Sequence, residues 1–284
     1  MKNKIIIFLI ALHCNNMLIG MKIQKSWSLD KTIKNKDRCH YISSICFDPS
    51  EKLIAVADCN QQVCIRDIES NTEQACITLN YDINTICFDH SGKKLAILSY
   101  ESIVDIFDIQ HDKNKKIITY NFDHSLNHTK EVSSIFFDKN NNIVGTQSDD
   151  VNGITHIIDL TTNTTKTSFP YDDWTTITST SQSARYFATS GNSKTHLFDT
   201  QQKKEIHAFK LQDSVNALAF DTTEKLLAIA SRDNEAHIFD VRTFTKIASF
   251  PHKKYVSSIC FGPSGKILAT GSYDGKIRIF KQNK

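Results

Sequence analysis

The segment from His252 to Phe280 reads HKKYVSSICFGPSGKILATGSYDGKIRIF and decides the fold of this chain. It contains three short apolar or alternating runs, separated by two turns rich in Gly, Pro, Ser and Asp. A period of two indicates a β-strand with one buried face, and these turn residues favour tight reversals. Five weaker copies of the same pattern precede the segment. We therefore interpret the chain as an array of small β-sheet repeats.

The last residue of SSICF is a landmark that can be followed through the six copies. It falls at Phe47, Phe88, Phe137, Ser179, Phe220 and Phe261. Four short strands in a repeat of about 41 residues are typical of one blade of a β-propeller. We predict an all-β, six-bladed propeller over residues 21–284. The predicted blades span about 39–79, 80–122, 128–169, 170–210, 211–250 and 251–284.

The sixth copy lacks a fourth strand, because only KQNK follows Phe280. The segment from Ile23 to Leu29 reads as a strand and has no other assignment. Pairing this N-terminal strand with the last blade would close the ring and leave no exposed sheet edge. We expect closure in this way.

The repeats resemble those of the WD-repeat family, over about residues 21–284. That family carries an Asp in the turn between strands two and three, and Trp-Asp at the end of strand three. The turn position here holds Asn60, Glu101, Asp150, Asn192, Asp233 and Asp274. The Trp position holds Arg66, Phe107, Ile158, Phe198, Phe239 and Phe280, and the Asp after it is kept in five copies. Without the indole donors, we expect the blades to depend mainly on apolar packing.

The resemblance implies a non-catalytic protein-interaction scaffold, because WD-repeat proteins commonly bind peptides on the face around the central channel. The candidate residues flank the first strands or precede the turn acid on that face. They are Tyr41, Asp82, Tyr100, Glu131, Asp149, Asp173, Arg232, Tyr255 and Tyr273. Tyrosine is enriched at interface hot spots and carboxylates attract cations, so the expected partner is a protein or peptide of basic character.

Charge and motifs exclude other classes of function. The net charge is +3 and the charged residues are mixed along the chain, so no basic field points to nucleic acid. No Gly-x-Ser-x-Gly, dinucleotide-binding or P-loop motif occurs, and we predict no enzyme activity, cofactor or metal. His124 and His128 have a spacing of four but lie in a predicted loop, which presents metal ligands poorly. The alternatives are a propeller hydrolase or lyase with a site at the channel mouth, and an exported subunit of an envelope assembly.

Residues 1–20 have the layout of a signal peptide. Lys2 and Lys4 precede the apolar run from Ile5 to Leu12, which is too short to span a bilayer. We therefore expect an exported or periplasmic protein without a transmembrane domain. Translation from Met21 would instead leave a cytoplasmic protein. The oligomeric state stays open.

The cysteine pattern favours free thiols. Removal of residues 1–20 would leave seven of the eight cysteines, an odd number that fits poorly with a complete disulfide framework. Cys46, Cys87 and Cys260 share one repeat position, where a small buried apolar group is expected. Cys64 could neighbour Cys59 or Cys76 in one sheet, but we do not expect a disulfide.

Overall fold

A computed structural model describes residues 26–34, 41–109, 115–121, 132–137, 140–149, 154–162, 164–170, 177–181, 183 and 185–283. Every regular element among them is a β-strand, and they include no helix with the length and apolar character of a membrane span. The strands form six antiparallel sheets of four strands each, so the predicted six-bladed propeller is confirmed.

Blades 1 to 3 each use four consecutive strands. Blade 1 consists of β2 (Ile42–Phe47), β3 (Leu53–Asp58), β4 (Gln62–Asp67) and β5 (Glu73–Thr78). Blade 2 consists of β6 (Ile83–Phe88), β7 (Lys94–Ser99), β8 (Ile103–Asp108) and β9 (Lys115–Asn121). Blade 3 consists of β10 (Val132–Phe137), β11 (Ile143–Asp149), β12 (Ile154–Asp159) and β13 (Thr164–Pro170).

Blades 4 and 5 follow the same scheme, whereas blade 6 borrows one strand. Blade 4 consists of β14 (Ile177–Thr180), β15 (Tyr186–Gly191), β16 (Lys194–Asp199) and β17 (Lys204–Lys210). Blade 5 consists of β18 (Val215–Phe220), β19 (Leu226–Ser231), β20 (Glu235–Asp240) and β21 (Lys246–Pro251). Blade 6 consists of β22 (Val256–Phe261), β23 (Ile267–Ser272), β24 (Lys276–Gln282) and the N-terminal strand β1 (Trp27–Lys34).

The first strand of each blade lines the centre of the ring. These strands contact one another in the order β2, β6, β10, β14, β18, β22 and back to β2. The ring is therefore closed, and the positions flanking each first strand lie around a central channel.

The N-terminal strand closes blade 6 as expected, but with different bounds. It pairs antiparallel with β24, with Leu29 opposite Phe280 and Ile33 opposite Ile277. The strand continues past the predicted end at Leu29, because Ile33 is only 1% exposed and packs in the core between blades 6 and 1. Leu29 itself is 55% exposed. Ile33 stands between Thr32 and Lys34 in the sequence, so its burial was hard to recognise from the local pattern.

Apolar packing between neighbouring blades forms the core, as the loss of the tryptophans predicted. Phe107, Phe198, Phe239 and Phe280 are each at most 8% exposed and belong to the clusters that join one blade to the next. The same position in blade 1 holds Arg66, which is completely buried. Blade 1 thus carries a charge where the other blades carry an apolar side chain.

The cysteines are free as predicted at one repeat position, whereas two cysteines of blade 1 are paired. Cys46, Cys87 and Cys260 are free thiols on the first strands, but each is half-buried rather than buried, because it lines a cavity. Cys64 and Cys76 form a disulfide, so the expectation of no disulfide was wrong. They are directly opposite on β4 and β5 with Cα atoms 4.1 Å apart, a register that periodicity alone did not reveal. Cys59 is disulfide-bonded as well.

Candidate functional site

One end of the central channel opens into a cavity of about 440 Å³. The first strands line it over most of their length, and the turns between second and third strands contribute exposed residues at the rim. Polar side chains that line it include Ser43, Asn84, Ser133, Asn216 and Ser257. Each of these five residues is the second residue of the first strand in its blade. The repeat itself therefore lines the cavity with polar side chains.

Four tyrosines from three neighbouring blades gather at the rim of this cavity. Tyr41 and Tyr273 stack with ring centroids 4.7 Å apart and an interplanar angle of 12°. Tyr255 meets Tyr273 edge-on, with centroids 6.0 Å apart. Tyr100 is 56% exposed, Tyr255 45% and Tyr273 37%, so three of the four rings present much of their surface to solvent. Blades 6, 1 and 2 therefore share one exposed aromatic patch, which we call the tyrosine patch.

Asp82 places a carboxylate beside this patch. Its Oδ1 accepts a hydrogen bond from Gln61 Nε2 at 3.1 Å, and its carbonyl accepts one from the Tyr100 amide at 3.2 Å. Burial, the Tyr273 hydroxyl and the Asp82 charge together raise the pKa of Tyr41. Burial, the hydroxyls of Tyr41 and Tyr273, and Asp82 raise the pKa of Tyr100 in the same way. The patch thus combines neutral aromatic rings with a nearby negative charge.

Arg232 lines the same cavity from blade 5. Its Nε donates a hydrogen bond to Asn216 Oδ1 at 3.2 Å, and Asn216 Nδ2 donates to the Val256 carbonyl at 2.9 Å. The chain of bonds links blade 5 to blade 6. The cavity wall therefore carries a positive charge on blade 5, and the Asp82 carboxylate of blade 2 lies beside the tyrosine patch.

The structure places six of the nine predicted site residues in or beside the cavity. Tyr41, Tyr100, Arg232 and Tyr273 line the cavity, Tyr255 contacts Tyr273, and Asp82 lies beside the tyrosines. Asp149 ends β11. Glu131 and Asp173 lie outside the described residues, as do residues 1–25, His124 and His128. The binding role of all nine residues stays a prediction.

Sequence reasoning missed a second cavity, of about 630 Å³, at the opposite end of the channel. The trailing ends of the first strands line it, chiefly with Phe47, Phe88, Phe137, Phe220, Phe261 and the three free cysteines. Burial raises the pKa of Cys260 to about 12, and burial also raises the pKa values of Cys46 and Cys87, so these thiols are neutral. The phenylalanine that recurs at the end of the first strand was the only sequence signal of this cavity. That signal is ambiguous, because an apolar residue at a strand end can be buried in the core or can line a cavity.

Blade 5 contains a serine, a histidine and an aspartate in one hydrogen-bonded chain. His237 Nε2 lies 3.0 Å from Asp233 Oδ2, and His237 Nδ1 lies 3.0 Å from Ser249 Oγ. The same cross-strand pair recurs in blade 3, where His156 Nδ1 lies 2.8 Å from Ser168 Oγ. Recurrence of the His–Ser pair at one register of the repeat indicates that this pair joins the third and fourth strands of a blade.

Comparison with known proteins supports the assignment of the repeats. The family model described as "WD domain, G-beta repeat" matches residues 28–67, 203–240 and 244–281. None of the curated proteins matches the chain. The first matched range joins the closing strand to blade 1, and the last covers the repeat that includes Tyr255 and Tyr273. WD-repeat propellers are typically non-catalytic and generally serve as protein-interaction scaffolds. Three ranges of the chain match the WD-repeat model and six four-stranded blades form a closed ring, so this chain is a six-bladed β-propeller that contains WD repeats.

Proposed function

We propose that this chain is a non-catalytic scaffold that binds a peptide segment of a partner protein at the channel mouth lined by the tyrosine patch. The observation that carries the proposal is the gathering of Tyr41, Tyr100, Tyr255 and Tyr273, from three blades, at one rim of the cavity. Large exposed aromatic side chains that are clustered rather than scattered mark interaction surfaces.

The rigidity of the patch favours binding. Tyr41 and Tyr273 support each other by stacking, and the Tyr273 amide donates a hydrogen bond to the Tyr255 carbonyl at 3.0 Å. Rings held in place by their neighbours lose little conformational entropy when a partner covers them. Each tyrosine also offers a hydroxyl that can bond to a peptide backbone.

The charge of the patch favours a basic segment. A lysine or arginine side chain is attracted to the face of a tyrosine ring and to the carboxylate of Asp82. Glu131, Asp149 and Asp173 are proposed to extend the acidic side of the surface along blades 3 and 4. Arg232, on blade 5, would repel the same cation and so favour binding on the side of blades 6, 1 and 2.

A peptide-display selection followed by affinity measurement tests this function. We expect selected peptides to contain Lys or Arg, and to bind less tightly to Tyr100→Ala, Tyr273→Ala and Asp82→Asn by about 10-fold or more each. Ile117→Ala is the matched control, because Ile117 is 48% exposed on the outer strand β9, away from the channel. Peptides without basic residues, or peptides that bind all four variants equally, would contradict the proposal.

We also propose that residues 1–20 direct export of this scaffold, on the basis of their charged and apolar layout. The Cys64–Cys76 disulfide is compatible with an oxidising compartment. Sequencing the N-terminus of the protein purified from its native cell tests this proposal. A chain that begins at Met1 or Met21, found only in the cytoplasm, would contradict export.

A further inference from the structure

Blade 1 carries an unusual group of side chains on its two outer strands. Cys64 and Arg66 lie on β4, and Glu73 and Cys76 lie on β5, the outermost strand of the sheet. Cys64 is opposite Cys76, and Arg66 is opposite Glu73. Cys64 is 5% exposed and Arg66 is fully buried, whereas the side chain of Glu73 is 40% exposed. The group therefore reaches from the interior of the propeller to its outer edge.

The same register positions hold contacting polar groups in other blades. In blade 2, Lys116 Nζ lies 3.0 Å from Asp105 Oδ2, and Thr119 Oγ1 donates to Asp105 Oδ1 at 2.5 Å. In blade 4, His196 Nδ1 lies 3.2 Å from Glu205 Oε1. The fold thus brings one side chain of the third strand against two positions of the fourth. In blade 1, these equivalent positions hold two sulfurs and a carboxylate.

These three groups have the spacing of metal ligands. The sulfurs of Cys64 and Cys76 and a carboxylate oxygen of Glu73 all lie within 4.8 Å of one another. In a tetrahedral zinc site with Zn–S bonds of about 2.3 Å, two thiolates are about 3.8 Å apart. The two Cα atoms are 4.1 Å apart, so reduction of the disulfide and a rotation of the side chains are sufficient to reach this separation.

Arg66 provides a second and independent indication. Its Nη2 donates to Glu73 Oε2 at 3.1 Å, but its Nε and Nη1 are buried without a hydrogen-bond partner. Open donors on a buried guanidinium are costly. Two thiolates, a carboxylate and one divalent cation sum to one negative charge, which the guanidinium neutralises. The open N–H groups, on the same face as Cys64, can then donate to thiolate sulfur, as outer-layer groups do at metal centres.

We propose that, in the dithiol form of the protein, Cys64, Cys76 and Glu73 bind one thiophilic divalent cation such as Zn²⁺. Water occupies the fourth position, reached from the exposed side of Glu73 at the outer edge of the blade. Arg66 acts as a positioning residue that orients the carboxylate and offsets the charge of the ligands. The disulfide is the oxidised form, which holds no metal. This site is independent of the proposed peptide-binding face.

Loading of the site requires a reductant, for which a small dithiol is sufficient. The dithiol transfers two electrons and two protons, the Cys64–Cys76 bond breaks to give two thiols, and the reductant becomes a cyclic disulfide. Zn²⁺ then replaces the two thiol protons, which pass to solvent as two Zn–S bonds form. A reducing compartment therefore favours the metal-bound form, and an oxidising compartment favours the disulfide.

Titration of the reduced full-length protein with Co²⁺ under anaerobic conditions tests this inference, because thiolate–Co²⁺ charge-transfer absorption reports sulfur ligation directly. We expect one equivalent of Co²⁺ per chain, displaced by Zn²⁺, and no such absorption in the oxidised protein. Cys64→Ser and Cys76→Ser should each abolish it. Glu73→Gln and Arg66→Met should weaken the affinity by about 10- to 100-fold, with Arg66→Lys retaining more than Arg66→Met.

The control variant is Cys87→Ser, which removes a free thiol elsewhere and should leave the Co²⁺ spectrum and affinity unchanged. The oxidised wild-type chain serves as a control that cannot be confounded by misfolding of a variant. The proposal is overturned if the reduced protein shows no thiolate–Co²⁺ absorption, or if the absorption survives in a folded Cys64→Ser/Cys76→Ser variant.

Discussion

Tyr41 and Tyr273 stack at 4.7 Å although they belong to opposite ends of the chain. Tyr41 precedes the first strand of blade 1, and Tyr273 follows the second strand of blade 6. Their contact exists because β1 completes blade 6 and brings blades 6 and 1 side by side. The rim of the candidate binding site is therefore built across the seam where the ring closes.

The tyrosine patch predicts a measurable electrostatic coupling. Because the Asp82 charge contributes to the raised pKa values of both Tyr41 and Tyr100, Asp82→Asn should lower both. Spectrophotometric titration of tyrosinate, with Tyr41→Phe and Tyr100→Phe to assign the signals, measures the effect. Asp213→Asn, which removes an exposed carboxylate of blade 5, is the control. Identical titration curves for the wild type and Asp82→Asn would contradict the described arrangement.

Closure by β1 predicts an asymmetric response to truncation of two residues of that strand. Ile33→Ala should lower the free energy of unfolding by about 2–5 kcal/mol, because it opens a cavity in the core between blades 6 and 1. Leu29→Ala should change it by less than about 0.5 kcal/mol, since Leu29 is 55% exposed. Denaturant unfolding of both variants gives the comparison. Equal losses would argue against the described register of β1.

The buried ion pair of blade 6 predicts a further loss of stability. Arg278 Nη2 donates to Asp274 Oδ2 at 2.6 Å, and the Asp274 carboxylate also accepts from the Lys276 amide. Asp274→Ala should lower the free energy of unfolding by about 1–3 kcal/mol, because it leaves buried donors unpaired. Burial acts to raise the pKa of Asp274, but the hydrogen bond and charge of Arg278 hold that pKa below its usual range.

A double-mutant cycle separates the pair from general disruption. Asp274→Ala leaves the buried Arg278 guanidinium without its carboxylate partner, and Arg278→Met removes that cation. Asp274→Ala should therefore lower the free energy of unfolding less in the Arg278→Met background than alone. Thermal and denaturant unfolding of the four proteins measure the coupling. Strict additivity would mean that the two side chains do not stabilise each other.

His252 predicts a stability that falls on mild acidification. Its Nδ1–H donates to the Phe250 carbonyl at 2.8 Å, and its Nε2 lies 2.7 Å from Thr270 Oγ1, a hydroxyl that can donate to the neutral ring. Burial, assisted by the Arg278 cation, lowers the pKa of His252 to about 4. The unfolded chain, with a pKa of about 6.5, takes up the proton first, so stability present above pH 6.5 is lost progressively towards pH 4.

Protonation of His252 should lower the free energy of unfolding by about 3 kcal/mol in total, and this group should cause no further decrease below pH 4. His252→Gln cannot titrate, so its stability should be flatter than that of the wild type between pH 6.5 and 4. His90→Gln, at an exposed position, should follow the wild type. Parallel curves for the wild type and His252→Gln would contradict the burial of a neutral imidazole.

Repetition made most of the fold predictable. Six copies of one sequence pattern predicted six blades. The missing fourth strand of the last copy predicted closure by the N-terminal segment. The bounds of that segment were less predictable, because Ile33 stands between Thr32 and Lys34 and owes its burial to the neighbouring blade. Likewise, the aromatic positions of the rim could be recognised one by one, but the stacking of Tyr41 on Tyr273 depends on the curvature of the closed ring.

The sequence by itself determined the strand periods, the number of blades and the face on which the tyrosines lie, since these depend on local alternation and on a repeated register. Only the tertiary structure decided which distant residues meet. The Cys64–Cys76 bond, the buried guanidinium of Arg66 and the contact of blades 6 and 1 all depend on cross-strand pairing and on packing between sheets. Such contacts join residues with no shared sequence pattern, and therefore the repeat period of the sequence does not predict them.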